Sequence, residues 1–156
     1  MFNTNKLVKQ LCISGALFMS LPFASAHAVE ATRAPAHASY IVKNLNIGEL
    51  PVKTIVPITA KTKEQAIAQA KVIAANQDAD LAEFRIDLLD FAADTKQVIA
   101  LGHELKKVLG NKPVIATIRT HNEGGQLNIS DANYGKTYQA YLKQPFMDML
   151  DVEMFR

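Results

Sequence analysis

Charged and hydroxylated side chains recur at alternate positions in three short β-like runs: Glu83 and Arg85, Thr117 and Arg119, Asp151 and Glu153. Successive side chains of a strand point to opposite faces, so the members of each pair share a face. Across residues 81–87, Ala82, Phe84 and Ile86 face one way, while Leu81, Glu83, Arg85 and Asp87 face the other. On a half-exposed sheet such a face meets water. In a closed sheet it is expensive unless the charges pair or hold a ligand. Each pair alone is satisfied by a structural ion pair. Three runs repeating the feature favour a polar mouth built from strand ends. The run at residues 114–120 continues into His121-Asn122-Glu123-Gly124-Gly125, where two glycines permit a backbone path that other residues resist, directly after an acid.

Regular elements must carry these residues. Residues 54–59 are a β-branched run, and residues 81–87, 114–120 and 148–155 read as further strands. Between them lie helical patterns. Thr62 and Gln65 are spaced as a capping box ahead of Ile67, Ala70, Ile73 and Ala74. Asp94 and Gln97 repeat the spacing ahead of Val98, Leu101, Leu105, Val108 and Leu109, with Gly110 placed just past the helix end. Ser130 opens a third helix with Tyr134, Tyr138, Tyr141 and Leu142 on one side, and Pro145 stops it. Tyr40 to Lys43 and Ile47 to Leu50 read as two extended pieces joined by a turn at residues 44–46.

Strands recurring at intervals of about 30 residues with helices between them are β/α units. Right-handed connections place the helices on a common face. Repeated without reversal the units curl into a (β/α)8 barrel, whose catalytic mouth lies at the C-terminal strand ends. No G-x-G-x-x-G follows the first strand, which weakens the dinucleotide-binding alternative. Pro57 lacks an N–H and is expected near the fading end of its strand.

The composition, 49% hydrophobic and 21% charged over 156 residues, is that of a folded domain with a core. The first 28 residues read separately. Lys6 and Lys9 precede a short apolar run over residues 11–23, and small residues around Ala26 and Ala28 offer a cleavage site. This is a secretory signal peptide, too short to span a membrane, followed by a leader over 29–39 and a domain over 40–156. An exported, periplasmic location follows, with no stable membrane anchor after cleavage. Loss of Lys6 and Lys9 leaves 15 cationic residues against 15 acidic, with no basic stripe for nucleic acid. The one cysteine, Cys12, lies inside the signal, so the exported part has no disulfide, cysteine nucleophile or thiolate metal site.

Glu83-Phe84-Arg85-Ile86-Asp87, Thr117-Ile118-Arg119-Thr120 leading to Glu123-Gly124-Gly125, and Asp151-Val152-Glu153 together resemble type I 3-dehydroquinate dehydratase. The opening residues 54–59 before Lys61-Thr62 fit as well, and the resemblance runs from about Val42 to Arg156. It implies a (β/α)8 hydro-lyase converting 3-dehydroquinate to 3-dehydroshikimate without metal or cofactor, through a lysine Schiff base and a histidine general base and acid. By that pattern Glu83, Arg85 and Arg119 hold the substrate, Glu123 orients the catalytic histidine, and Asp151 and Glu153 lie behind them. A homodimer is one assembly open to the complete enzyme.

The family's Schiff-base lysine, catalytic histidine and carboxylate-gripping arginine belong to later strands and have no match here. Lys61 and His121 are poor substitutes, and His103 sits in a helix beside Lys106 and Lys107. Four β/α units cannot close a barrel. The chain is therefore expected to be an inactive fragment of an exported, catabolic enzyme acting on dehydroquinate formed from quinate. The alternatives are a non-catalytic remnant that binds cyclic polyhydroxy acids and another Schiff-base barrel lyase or aldolase.

Overall fold

A computed structural model of the protein describes residues 39–154. The expected signal peptide and nearly all of the expected leader, with Cys12, His27 and His37, lie outside the described residues. What is described belongs to one compact unit, residues 35–156.

A short antiparallel hairpin comes first, β1 (Tyr40–Val42) and β2 (Leu45–Ile47). Its turn falls at Lys43 and Asn44, earlier than the sequence suggests, because Lys43 takes the left-handed conformation with φ 54°. Lys43 Nζ donates to the carbonyls of Gly110 and Lys112 and pairs with Asp148 at 3.2 Å. Those partners precede the next strands, so the hairpin is pinned at the N-terminal end of the sheet.

The sheet has four parallel strands in sequence order: β3 (Ile55–Ile58), β4 (Leu81–Arg85), β5 (Val114–Thr117) and β6 (Met149–Asp151). Helices α1 (Lys63–Ala75), α2 (Thr95–Leu109) and α3 (Asp131–Lys143) make the connections. Absence of reversal is the strand order of consecutive units in a (β/α)8 barrel. Pro57 stands one residue before the end of β3, the edge strand next to β4, where a missing donor is tolerated.

Ile58, Phe84, Ala116 and Leu150 stand in register on the helix side. Phe84 is 1% exposed and meets Phe146 edge-on at 6.1 Å. Burial of one such ring contributes about 2–3 kcal/mol. Thr62 and Gln65 form the expected reciprocal capping box. Asp94 caps α2 by accepting from the N–H groups of Lys96 and Gln97, but the Gln97 side chain turns to the Asp94 carboxylate, so the box is not reciprocal. Gly110 ends α2 with φ 60°.

Two further sequence expectations change. The strands are shorter than their β-rich runs: β4 stops at Arg85 and gives way to a 3₁₀ turn, Ile86–Leu88, while β5 and β6 stop at Thr117 and Asp151. Pairing ends there: β4 passes into the 3₁₀ turn, and beyond β5 the Ile118 N–H bonds the Tyr138 hydroxyl instead of a strand. On α3, Tyr134, Tyr138 and Tyr141 are buried as expected, but Leu142 is 60% exposed and faces away from them. Its neighbour on the stripe, Tyr141, already fills the space against Phe146, with ring centroids 5.2 Å apart.

Candidate active site

At the C-terminal end of the sheet, Arg85, Thr117 and Asp151 form one row across β4, β5 and β6. Glu83 stands one pleat below, in register with Pro57 and Ile115. All of them lie on the face opposite the helices, as the alternation predicts. The three motifs, separated by more than half of the domain in sequence, therefore converge on one end of one sheet.

Arg85 is not paired with Glu83. Its Nε and Nη2 donate to Asp87 Oδ1 and Oδ2, each at 2.8 Å. The 3₁₀ turn after β4 brings Asp87 back beneath the arginine, and the Asp87 side chain is fully buried. That bidentate bond is the main reason the Arg85 pKa is raised, partly offset by burial and helped through space by Asp87, Glu83 and Asp151. Glu83 thus contributes field rather than contact, and it is half-buried among the described residues. Asp87 also accepts a longer bond, 3.4 Å, from the Gln126 N–H.

Arg119 forks between two acids. Nη1 donates to Glu123 and Nη2 to Asp151. Glu153 Oε1 lies 3.8 Å from the same Nη1. Glu153 is chiefly engaged elsewhere: Oε1 accepts from Thr120 N–H at 2.6 Å and Oε2 from the Thr120 hydroxyl at 2.7 Å. This buried acid ties the β6 end to the loop that carries Glu123. Within the loop a 3₁₀ turn, His121–Glu123, is closed by Gly124 at φ 82°. Gly125 then passes so near Arg119 that a Cβ there would meet the Arg119 carbonyl oxygen at 1.9 Å, and its N–H donates to Thr120 O at 2.7 Å. The Gly-Gly pair therefore returns the chain past Arg119 and leaves Glu123 beside the guanidinium.

The arrangement offers fixed donors and acceptors in a shared plane of charge, suited to a polar, polyhydroxylated ligand. A cavity of about 350 Å³ opens beside the Arg85–Asp87 pair, lined in part by Thr59, Lys61, Asp87 and Gln126. Lys61 is exposed there, and His121 is exposed on the rim. His103 lies partly buried on α2, edge-on to Phe146 at 6.3 Å and away from the mouth. A larger hollow of about 480 Å³ lies against the start of α3, lined by Leu127, Ser130, Asn133 and Lys136 among others, and includes none of the motif residues. No cluster of metal-ligating side chains occurs among the described residues.

Several contributors were not evident from sequence. Asp87 was placed on the right face but given no partner. Its distance of two residues from Arg85 was the available signal. Thr120 carried no signal, since its value lies in meeting Glu153 across the sheet. Tyr134 and Tyr138 read as core, yet their hydroxyls bond the strand ends: Tyr138 to Ile118 N–H and Asp151 O, Tyr134 to Glu153 N–H. Thr117, 1% exposed, keeps a buried hydroxyl with no hydrogen-bond partner among the described residues, in the middle of the charged row.

The profile of the family described as Type I 3-dehydroquinase matches residues 54–156, the span that carries every motif of the mouth. The chain belongs to this family. A catabolic 3-dehydroquinate dehydratase of Acinetobacter baylyi is 66% identical over 139 residues, covering 88% of this chain and 51% of that protein. The 3-dehydroquinate dehydratase of Enterococcus faecalis is 40% identical over 115 residues, covering 74% and 45%. Its solved structure superposes with a TM-score of 0.71 over 74% of this chain and 48% of its own. A type I 3-dehydroquinate dehydratase structure from Clostridium difficile, with covalently modified comenic acid, gives 0.72 at 31% identity, covering 75% and 46%. The chain spans about half the length of the relatives it matches. These neighbours establish the type I dehydroquinase fold and agree with the sequential parallel sheet.

Proposed function

We propose that this sequence supplies one side of the active-site mouth of a 3-dehydroquinate dehydratase. The reaction loses a proton from the carbon beside the ketone and a hydroxyl from the next carbon. The two leave as water, and a C=C bond conjugated with the ketone remains, with no change of oxidation state. Glu83, Arg85 and Arg119 hold the substrate hydroxyls and the reacting end of the ring, and Glu123 orients a histidine that moves the proton. Asp151 holds Arg119 in place from behind, and Glu153 holds the Thr120 loop. The carrying observation is the juxtaposition of the three family motifs in and next to one row at the strand ends, in a chain 66% identical over 139 residues to a named dehydratase.

The Schiff-base step belongs to the same proposal. A lysine amine condensed with the ketone acidifies the neighbouring C–H. Lys61 and His121, both exposed, do not match the family's lysine and histidine in the sequence pattern, so those two roles are assigned to other parts of the working enzyme. Support for covalent chemistry comes from the C. difficile relative, which carries covalently modified comenic acid. The catabolic role rests on the name of the A. baylyi relative and on the signal-like first 28 residues, which would place the enzyme outside the inner membrane.

The test is a hybrid in which residues 54–154 of this chain replace their counterparts in the A. baylyi protein. The hybrid should dehydrate dehydroquinate, form a borohydride-trapped adduct, and lose most turnover on Arg119→Lys or Glu123→Gln. A folded hybrid without turnover, or one indifferent to both changes, refutes the reading. The 156-residue chain alone should show neither turnover nor adduct. Fractionation of the source cells tests the exported location, which cytoplasmic full-length protein would contradict.

A further inference from the structure

We infer that Tyr138 is a positioning residue for the mouth: its hydroxyl is the spacer that fixes the β5 end, bearing Arg119, against the β6 end, bearing Asp151. Only the kinetic arm of this inference rests on the dehydratase reading. The β5–β6 ladder runs to Thr117 and Asp151 and stops. Just beyond it, Ile118 N–H donates to the Tyr138 oxygen at 3.2 Å, and the same hydroxyl donates to Asp151 O at 2.6 Å. One phenol oxygen thus takes the place of the next rung. Without it two backbone groups at the strand ends lose their partner.

The consequence is a defined gap. Arg119 follows Ile118 directly, and Asp151 carries the accepting carbonyl, so the spacer acts on the backbone at the very residues whose side chains meet. With the strands held one oxygen apart, Arg119 reaches Asp151 through Nη2 while Nη1 stays on Glu123. Tyr134, one turn earlier on α3, repeats the device at the next position by accepting from Glu153 N–H at 3.1 Å. The two rings pack edge-on with centroids 4.7 Å apart, so each braces the other. Burial and the neighbouring Tyr134 push the Tyr138 pKa up, which keeps its hydroxyl protonated and able to donate. Tyr141, the next ring on the stripe, is fully buried but its hydroxyl has no hydrogen-bond partner among the described residues. Helix, ring and burial are shared by Tyr138 and Tyr141, and the strand-bridging hydroxyl is not.

That difference supplies the control. The hybrid that carries residues 54–154 in the A. baylyi protein is compared unchanged, with Tyr138→Phe and with Tyr141→Phe, by amide hydrogen exchange, by the side-chain NMR signals of Arg119 and by turnover. In Tyr138→Phe the Ile118 amide should exchange at least about tenfold faster. The Arg119 guanidinium signals should shift or broaden, and kcat/KM for dehydroquinate should fall about tenfold, chiefly through KM. Tyr141→Phe should leave all three unchanged. Equal Ile118 exchange and equal Arg119 signals in the two variants would overturn the spacer role, as would a kinetic loss without any Arg119 change. Altered signals in a protein that never turns over dehydroquinate uphold the spacer and sink the dehydratase reading instead. If Tyr138→Phe does not fold, 3-fluorotyrosine at position 138 keeps the ring but weakens the hydroxyl as an acceptor. Ile118 exchange must then rise, and unchanged exchange counts against the proposal.

Discussion

Asp87 holds Arg85 with both carboxylate oxygens, at 2.8 Å to Nε and 2.8 Å to Nη2, from only two residues further along the chain. The acid is fully buried and the arginine 24% exposed. A fork fixed at two points cannot swivel, so the remaining guanidinium N–H groups present a constant direction to the mouth.

Removing that grip should be felt in stability. Asp87→Ala leaves a largely buried arginine with only the through-space help of Glu83 and Asp151, and is expected to destabilise by about 2 kcal/mol, measured by urea unfolding. Because the raised Arg85 pKa belongs to a cation, its stabilising effect is fully present below the ordinary arginine value and is lost only above it. Arg85 should therefore contribute no pH dependence between about pH 5 and 9.

Glu153 serves two donors of Thr120 at once. In Glu153→Ala both Thr120 donors lose their acceptor at a buried position. Loss of about 1–3 kcal/mol is expected. Thermal denaturation reads it, and a variant as stable as wild type would show that the pair is dispensable.

Gly125→Ala places a methyl 1.9 Å from the Arg119 carbonyl oxygen, a backbone atom that cannot rotate away. The loop must move and take Glu123 with it. A destabilisation of at least about 2 kcal/mol is expected, with turnover of the hybrid enzyme reduced more than its stability alone explains. Loss of stability with unchanged turnover would mean that Glu123 keeps its place.

Thr117→Val keeps the shape of a buried side chain and removes a hydroxyl that has no partner among the described residues. Such a change should be neutral or raise stability by up to about 1 kcal/mol. A marked loss would mean that the hydroxyl is hydrogen-bonded in the working protein.

Asp94 gives the acid limb a defined contribution. Hydrogen bonds from the Gln97 side chain, then from the Gln97 and Lys96 N–H groups, hold its pKa below the ordinary 3.8. A lowered carboxyl pKa stabilises the fold above the ordinary value and loses that effect as pH falls through the folded one. Asp94→Asn should flatten this part of the stability profile below about pH 4, as followed by circular dichroism.

Much of this architecture was legible because its signals are local. The Thr62–Gln65 box, the α2 stripe from Val98 to Leu109 and Gly110 each depend on neighbours within a few turns. The common face of Glu83, Arg85, Thr117 and Asp151 followed from strand alternation alone. Strand ends were less legible, since the β-rich runs continue past Arg85 and Thr117 while the ladder does not. Leu142 misled because helical spacing names a stripe but not which of two adjacent residues a neighbouring ring leaves room for.

The sequence by itself determined the β/α order, the family and which side chains share the face opposite the helices, because propensity, capping and period-2 alternation act over short stretches of chain. Only the tertiary structure decided who holds whom. Arg85 belongs to Asp87 and not to Glu83, Glu153 to Thr120, and Arg119 to both Glu123 and Asp151. Tyr138 became part of the mouth rather than only of the core. Hydrogen bonds have short range and demand direction, so partners on different strands are chosen by register and by where the strands part.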